Sequence, residues 1–322
     1  MSTEGSNRAI VAALAANLGI AVTKFVAFLL TQSSSMLAES IHSLADSGNQ
    51  VLLLVGGKQA RRPATEEHPF GFGRSRYLYA FIVSVVLFSV GGLFALYEAY
   101  HKWHEASEGH AGITSWHWVP VVVLVAAIGM ESFSFRTAIV EANHVRGGKS
   151  WWRFVRDTKS PELPVVLLED SAALAGLLFA LFGVSMTLIT EDGRWDAVGT
   201  AMIGLLLVAV AALLAMETSS LLLGEGVSTD ELATIKSALV GPGVDAVIHV
   251  RTMYVGPEEV MVAAKIAVSP TESAREVTEA IDAAEVRVRA ALPVAKLIFL
   301  EPDIARTSET LSETSPETAP VD

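Results

Sequence analysis

Apolar positions gather into six blocks before residue 226: about 9–31, 36–57, 77–100, 117–138, 163–190 and 197–223. Each is long enough to cross the hydrocarbon core of a bilayer as a helix, which takes about 20 residues. Six membrane-crossing helices are therefore expected. Beyond residue 226 the pattern changes. Ser228–Leu239 starts on a Ser-Thr-Asp cap and continues with helical period. Ala246–Val255 and Glu258–Val268 are rich in β-branched residues and are separated by a Gly256-Pro257 turn, which predicts two strands. Thr271–Ala291 reads as a long amphipathic helix, begun by Pro270 and stopped before Pro293, and Lys296–Leu300 as a last strand.

The order helix, strand, strand, helix, strand resembles a small ferredoxin-like module. The fold class expected is a mainly α membrane protein, a six-transmembrane-helix bundle with a C-terminal α+β ferredoxin-like cytoplasmic domain. The bundle covers 1–226 and the domain 227–303. The remainder, 304–322, is Thr, Ser, Glu and Pro, too polar to bury a core, and reads as a disordered tail.

Composition agrees, with 51% of the 322 residues hydrophobic. The net charge of −12 hides an uneven spread of cations. Lys58, Arg61, Arg62, Arg74 and Arg76 lie between the second and third blocks. Arg136, Arg146, Lys149, Arg153, Arg156 and Lys159 follow the fourth. The alternate connections hold none, Lys102 and Arg194. The positive-inside rule places both termini and the two basic loops in the cytoplasm, here of a cell-membrane protein. Trp103, Trp116 and Trp118 then fall at the outer interface, and Trp151 and Trp152 at the inner one. The basic clusters flank spans and the soluble part is acidic, so nucleic acid is not an expected partner. With no cysteine in the chain, thiolate ligands and disulfides are excluded, and any transition-metal site must use imidazole and oxygen. The first block lacks a small-residue cleavage site and reads as a span, not a cleaved signal.

Few ionisable residues fall inside the blocks, and each is costly enough at membrane depth to call for a function or a partner. Lys24 lies in the first, Glu39, His42 and Asp46 in the second, Glu131 in the fourth, Glu169 and Asp170 in the fifth. His42 and Asp46 are four apart, hence on one helix face. Together with the fifth-block acids they offer about four donors, the number zinc takes. Glu169 and Asp170 are neighbours, about 100° apart around a helix, so they cannot serve one ion equally. Ala172, Ala173 and Gly176 share the Glu169 face and would let another helix come close, which favours Glu169. The competing view is structural: buried charges pair, Lys24 with Glu131 for example, and Asn17 and Asn49 bridge helices.

Four segments carry a resemblance to the cation diffusion facilitator family, on the branch that includes zinc transporter 9-like members. They are Leu-Ala-Glu-Ser-Ile-His-Ser-Leu-Ala-Asp (37–46), His-Pro-Phe-Gly-Phe-Gly-Arg (68–74), Leu-Leu-Glu-Asp-Ser-Ala-Ala-Leu-Ala-Gly (167–176) and Phe-Leu-Glu-Pro-Asp (299–303). The resemblance implies a homodimeric efflux transporter that moves a divalent cation, usually zinc, out of the cytoplasm in exchange for protons, with no prosthetic group and no enzymatic activity. It implies His42 and Asp46 as ligands. The chain departs from the family where Val166 and Val165 stand four before Asp170 and Glu169, in place of a second ligand. One imidazole among oxygens leaves manganese, cobalt or iron open. His68 keeps one of two loop positions, Phe72 replacing the other. His249 and Glu301 fall near family ligand positions in the cytoplasmic domain, but Phe299 stands where another histidine is common. That domain is expected to dimerise without a full binuclear site. Two other classes compete: a non-transporting regulatory or assembly subunit, and an intramembrane metallohydrolase, for which no general-base motif is visible.

Overall fold

The computed structural model describes residues 3–32, 34–108, 118–148 and 150–305. The chain forms two compact units that divide between Leu222 and Leu223. His110, His117, Trp116 and the tail from Arg306 lie outside the described residues.

In the first unit α1 spans Thr3–Thr31, α2 Ser34–Ala60, α3 Ser75–Val86, α4 Phe94–Ser107, α5 Val119–Arg146, α6 Trp151–Asp157, α7 Glu162–Thr190 and α8 Arg194–Leu223. A π-helical turn, Leu87–Leu93, joins α3 to α4, so Ser75–Ser107 is one continuous rod. Four helices are long and apolar enough to cross a membrane: Ser75–Ser107, Val119–Arg146, Glu162–Thr190 and Arg194–Leu223. Six were expected. In α1 the apolar stretch among the described residues is shorter, Asn17–Leu30. In α2, Glu39, Ser40, His42, Ser43, Asp46, Ser47 and Asn49 follow the i, i+3, i+4, i+7 stripe of one helix face, and all are buried. A polar stripe turned inward lowers the average hydropathy of a helix without exposing charge to lipid.

Polarity in this unit is inverted relative to a water-soluble protein. Phe25, Leu29, Phe133, Leu178, Phe182, Leu205 and Met216 are exposed, whereas Lys24, Glu39, His42, Asp46, Glu131 and Glu169 are buried. Apolar outside and ionisable inside is the arrangement that hydrocarbon solvent selects, and the protein is a multi-pass membrane protein. Its core is built largely of small side chains, among them Ala27, Ala38, Ala80, Ala95, Ala127, Ala172, Ala180 and Ala211. These let helices approach closely, which is how spans associate without a hydrophobic driving force. One close backbone approach is between α7 and α8, where a Cβ on Gly199 would lie 2.8 Å from the Phe179 carbonyl oxygen.

The second unit has the expected order: α9 (Thr229–Leu239), β1 (Ala246–Gly256), β2 (Glu259–Ala267), α10 (Ala274–Ala291) and β3 (Ala295–Asp303). Ser228 and Ser273 start the two helices with full capping boxes. β1 and β2 pair antiparallel, β2 and β3 parallel, in the sheet order β1-β2-β3. Alternation along β2 buries Val260, Val262, Ala264 and Ile266 beneath Ile235 and Leu239 of α9 and Ala280, Ala284 and Val288 of α10. The opposite face carries Met261, Ala263 and Lys265.

Candidate metal centre

The polar stripe of α2 meets α7 in the interior of the bundle. His42 is 1% exposed and Asp46 7%, and the imidazole Nδ1 stands 3.5 Å from Asp46 Oδ1. Neither ring nitrogen of His42 has a hydrogen-bond partner, nor does Asp46 Oδ1. Buried polar atoms are normally satisfied, so three orphans on one turn mark a place kept for something other than protein. Across the interface Glu169 is buried. Its Oε1 accepts a hydrogen bond of 2.5 Å from Asn49 Nδ2, and its carboxyl group lies near that of Asp46. Asn49 is thus the helix bridge that its residue type suggests, and it also orients an acid of the candidate site. Ala172 and Ala173 are buried on the same helix.

The adjacent acids of α7 part company. Glu169 faces α2, while Asp170 is half-buried and accepts a 3.3 Å hydrogen bond from Ser134 Oγ of α5. The 100° between neighbouring helical residues directs them to different partners. Glu39 is not a free donor either. Its Oε2 takes a 2.9 Å ion pair from Lys24 of α1, and the lysine gives a second hydrogen bond, 2.8 Å, to Ser43 Oγ. Lys24, for which Glu131 was the suggested partner, makes its ion pair with Glu39. Among the described residues no three His, Asp or Glu side chains already surround one point at ligating distance. Of the four expected ligands, His42 and Asp46 on α2 and Glu169 on α7 face each other in the interior, while Asp170 turns to α5.

The accessory positions carry less. His68 is exposed in the turn before α3 and stacks on Phe72, with ring centroids 4.5 Å apart. Arg62 lies over the other partner of that stack, 4.8 Å from the Phe72 centroid. In the second unit the strand register places His249, Lys265 and Glu301 in one row across β1, β2 and β3. Lys265 Nζ sits 2.9 Å from Glu301 Oε1 and 3.3 Å from Asp303 Oδ2. The Glu301 carboxylate, with Asp303, raises the Lys265 ammonium above the ordinary lysine range. A fixed positive charge thus stands between the two positions that the resemblance marks for metal. Sequence reading missed Lys265. Its signal was the alternation of β2, which puts it on the open face with Met261 and Ala263.

Residues 10–223 match the model of the cation efflux transmembrane domain. The chain is similar to the mitochondrial proton-coupled zinc antiporter SLC30A9 of Xenopus laevis, 29% identical over 276 residues, 83% of this chain and 47% of that protein. It is also similar to the magnetosome protein MamM of Magnetospirillum gryphiswaldense, 25% identical over 281 residues, 84% of this chain and 80% of that protein. A solved MamM C-terminal domain in a nickel form is 22% identical, covers 24% of this chain and all of that one, and has a TM-score of 0.23. The chain spans about half the length of the zinc antiporters it matches. The match over residues 10–223 shows that the chain belongs to the cation efflux family, the cation diffusion facilitators, a family of transporters and not of enzymes.

Proposed function

We propose that the protein exports a divalent metal cation, zinc foremost, across its membrane in exchange for protons. One observation carries the reading: an imidazole with both nitrogens unpartnered and two carboxyl groups face each other across α2 and α7 in the buried interior. His42, Asp46 and Glu169 are the proposed ligands, with Asp170 outside the first contact with the ion. Two carboxyl groups facing each other across the helices leave a place for positive charge between them. A divalent cation that draws the two halves together takes that place, and ligation needs neutral imidazole and ionised carboxylates, so binding expels protons. Protons arriving from the far side reverse the step.

The six long helices are read as six spans with both termini on the cytoplasmic side, in keeping with the cations of the 58–76 and 136–159 segments. Alternating access would come from α1 and α2 moving relative to α5 and α7 about the fixed site. The protein is proposed to work as a homodimer. Similarity to proteins named as a zinc antiporter and as a magnetosome protein supports metal transport in general. One nitrogen among oxygen donors also suits harder ions, so manganese, cobalt and iron are the competing cargoes.

The test is metal-driven proton flux in proteoliposomes of the purified full chain. Zinc on the cytoplasmic side should drive counterflow of protons, and Asp46→Ala should abolish both. Equal flux in the variant and the parent protein would overturn the site, and flux with manganese but not zinc would overturn the cargo.

A further inference from the structure

Lys24, Glu39 and Ser43 make a second polar centre in the bundle that coordination does not use. The ammonium and the carboxylate are 1% and 0% exposed, and Lys24 ties α1 to two successive turns of α2. The other carboxylate oxygen, Glu39 Oε1, has no hydrogen-bond partner. It faces α7 so closely that a Cβ on Gly176 would lie 2.8 Å from it. Three helices therefore converge on one carboxylate, and a side chain at position 176 would push it away.

The height of this centre follows from the two α2–α7 contacts. Asn49 meets Glu169, and Glu39 meets Gly176. Numbering falls along α2 as it rises along α7, so the helices run antiparallel and both displacements point the same way. At about 1.5 Å per residue, Glu39 lies roughly 10 Å from Asp46, and Gly176 roughly 10 Å from Glu169. The direction is toward the α1–α2 and α7–α8 connections, the side poor in Lys and Arg and hence the outer side. The ion pair therefore lies on the outer flank of the candidate site.

A buried pair is a poor way to add stability, because desolvation consumes the Coulomb gain and apolar replacements are often as stable. It is an effective way to hold one register between helices, and a fixed ammonium repels a divalent cation beneath it. We propose that Lys24, Glu39 and Ser43 form an ionic latch that closes the outer exit of the cation path, with Gly176 as the seat for Glu39, and that outward release requires the Lys24–Glu39 pair to part. The purpose of the latch rests on the export reading, but its existence is tested without any cargo.

The chain has no cysteine, so one introduced thiol is the only thiol. Met36, fully buried one turn nearer the outer end of α2, is the reporter position. Full-length Met36→Cys protein in sealed vesicles is exposed to a membrane-impermeant methanethiosulfonate from the outer side. Adding Lys24→Gln or Glu39→Gln should raise the labelling rate at least about fivefold, the lower end of ordinary conformational coupling. Lys24→Arg, which keeps the charge and the pair, should stay near the parent rate. Equal rates in all four chains overturn the latch. So does a rise in Lys24→Arg as large as in Lys24→Gln, because lost packing would then explain both. If Asp46→Ala transports normally, the export reading falls while the labelling result stands on its own.

Discussion

Two acids side by side in the chain have unlike surroundings, and that contrast is the sharpest residue-scale test of the site. Glu169 is buried, held by Asn49 and turned toward Asp46. Asp170 points to Ser134 on α5. Glu169→Gln keeps the size and the Asn49 contact but removes the anionic donor, so transport and cation affinity should fall at least tenfold, about 1.4 kcal/mol. Asp170→Asn should retain most of both. Isothermal titration with zinc and proteoliposome flux on the two variants measure this, and a reversal of their order would move the ligand from Glu169 to Asp170. The small residues beside Glu169 were readable in advance, since a face of Ala172, Ala173 and Gly176 implies a close neighbour. The identity of that neighbour, the α2 stripe, was not readable, because spacing within one helix says nothing about which partner fills the gap.

At the scale of elements, the α7–α8 crossing brings backbone against backbone. Gly183 and Gly199 face each other, a Cβ on Gly199 meeting the Phe179 carbonyl oxygen at 2.8 Å and the Gly183 Cα at 3.1 Å. Backbone atoms cannot rotate aside as a side-chain end can, so Gly199→Ala should force the helices apart and cost about 1–3 kcal/mol. Thermal unfolding of the purified protein should show a lowered midpoint, whereas Gly129→Ala on α5, with open space at its Cβ position, should leave it unchanged. The π-helical turn Leu87–Leu93 was invisible to periodicity, which marks an apolar run without distinguishing one helical pitch from another. It places Gly91 and Gly92 against Leu207 and Val208 of α8.

For the whole molecule, the expectation is that metal binding belongs to the bundle. The row of His249, Lys265 and Glu301 places an ammonium between the two residues that the resemblance marks as ligands. Replacing His249 and Glu301 together by Ala should leave the zinc stoichiometry of the full chain unchanged, while Asp46→Ala should lower it. Titration calorimetry on the purified protein decides between them, and a site lost from the double variant would show that Lys265 moves aside for metal. What the amino-acid order determined by itself was local: the four spans that are long and apolar among the described residues, the α9-β1-β2-α10-β3 order from period and turn residues, and the His42–Asp46 pair from a spacing of four. Periodicity and capping act within a few residues, so they survive without knowledge of the rest of the chain. Tertiary structure alone decided that Lys24 joins Glu39, that Glu169 faces α2 while Asp170 faces α5, and that Lys265 stands beside Glu301. Each of these depends on which distant segment arrives opposite, a choice made by close packing over the whole bundle or sheet.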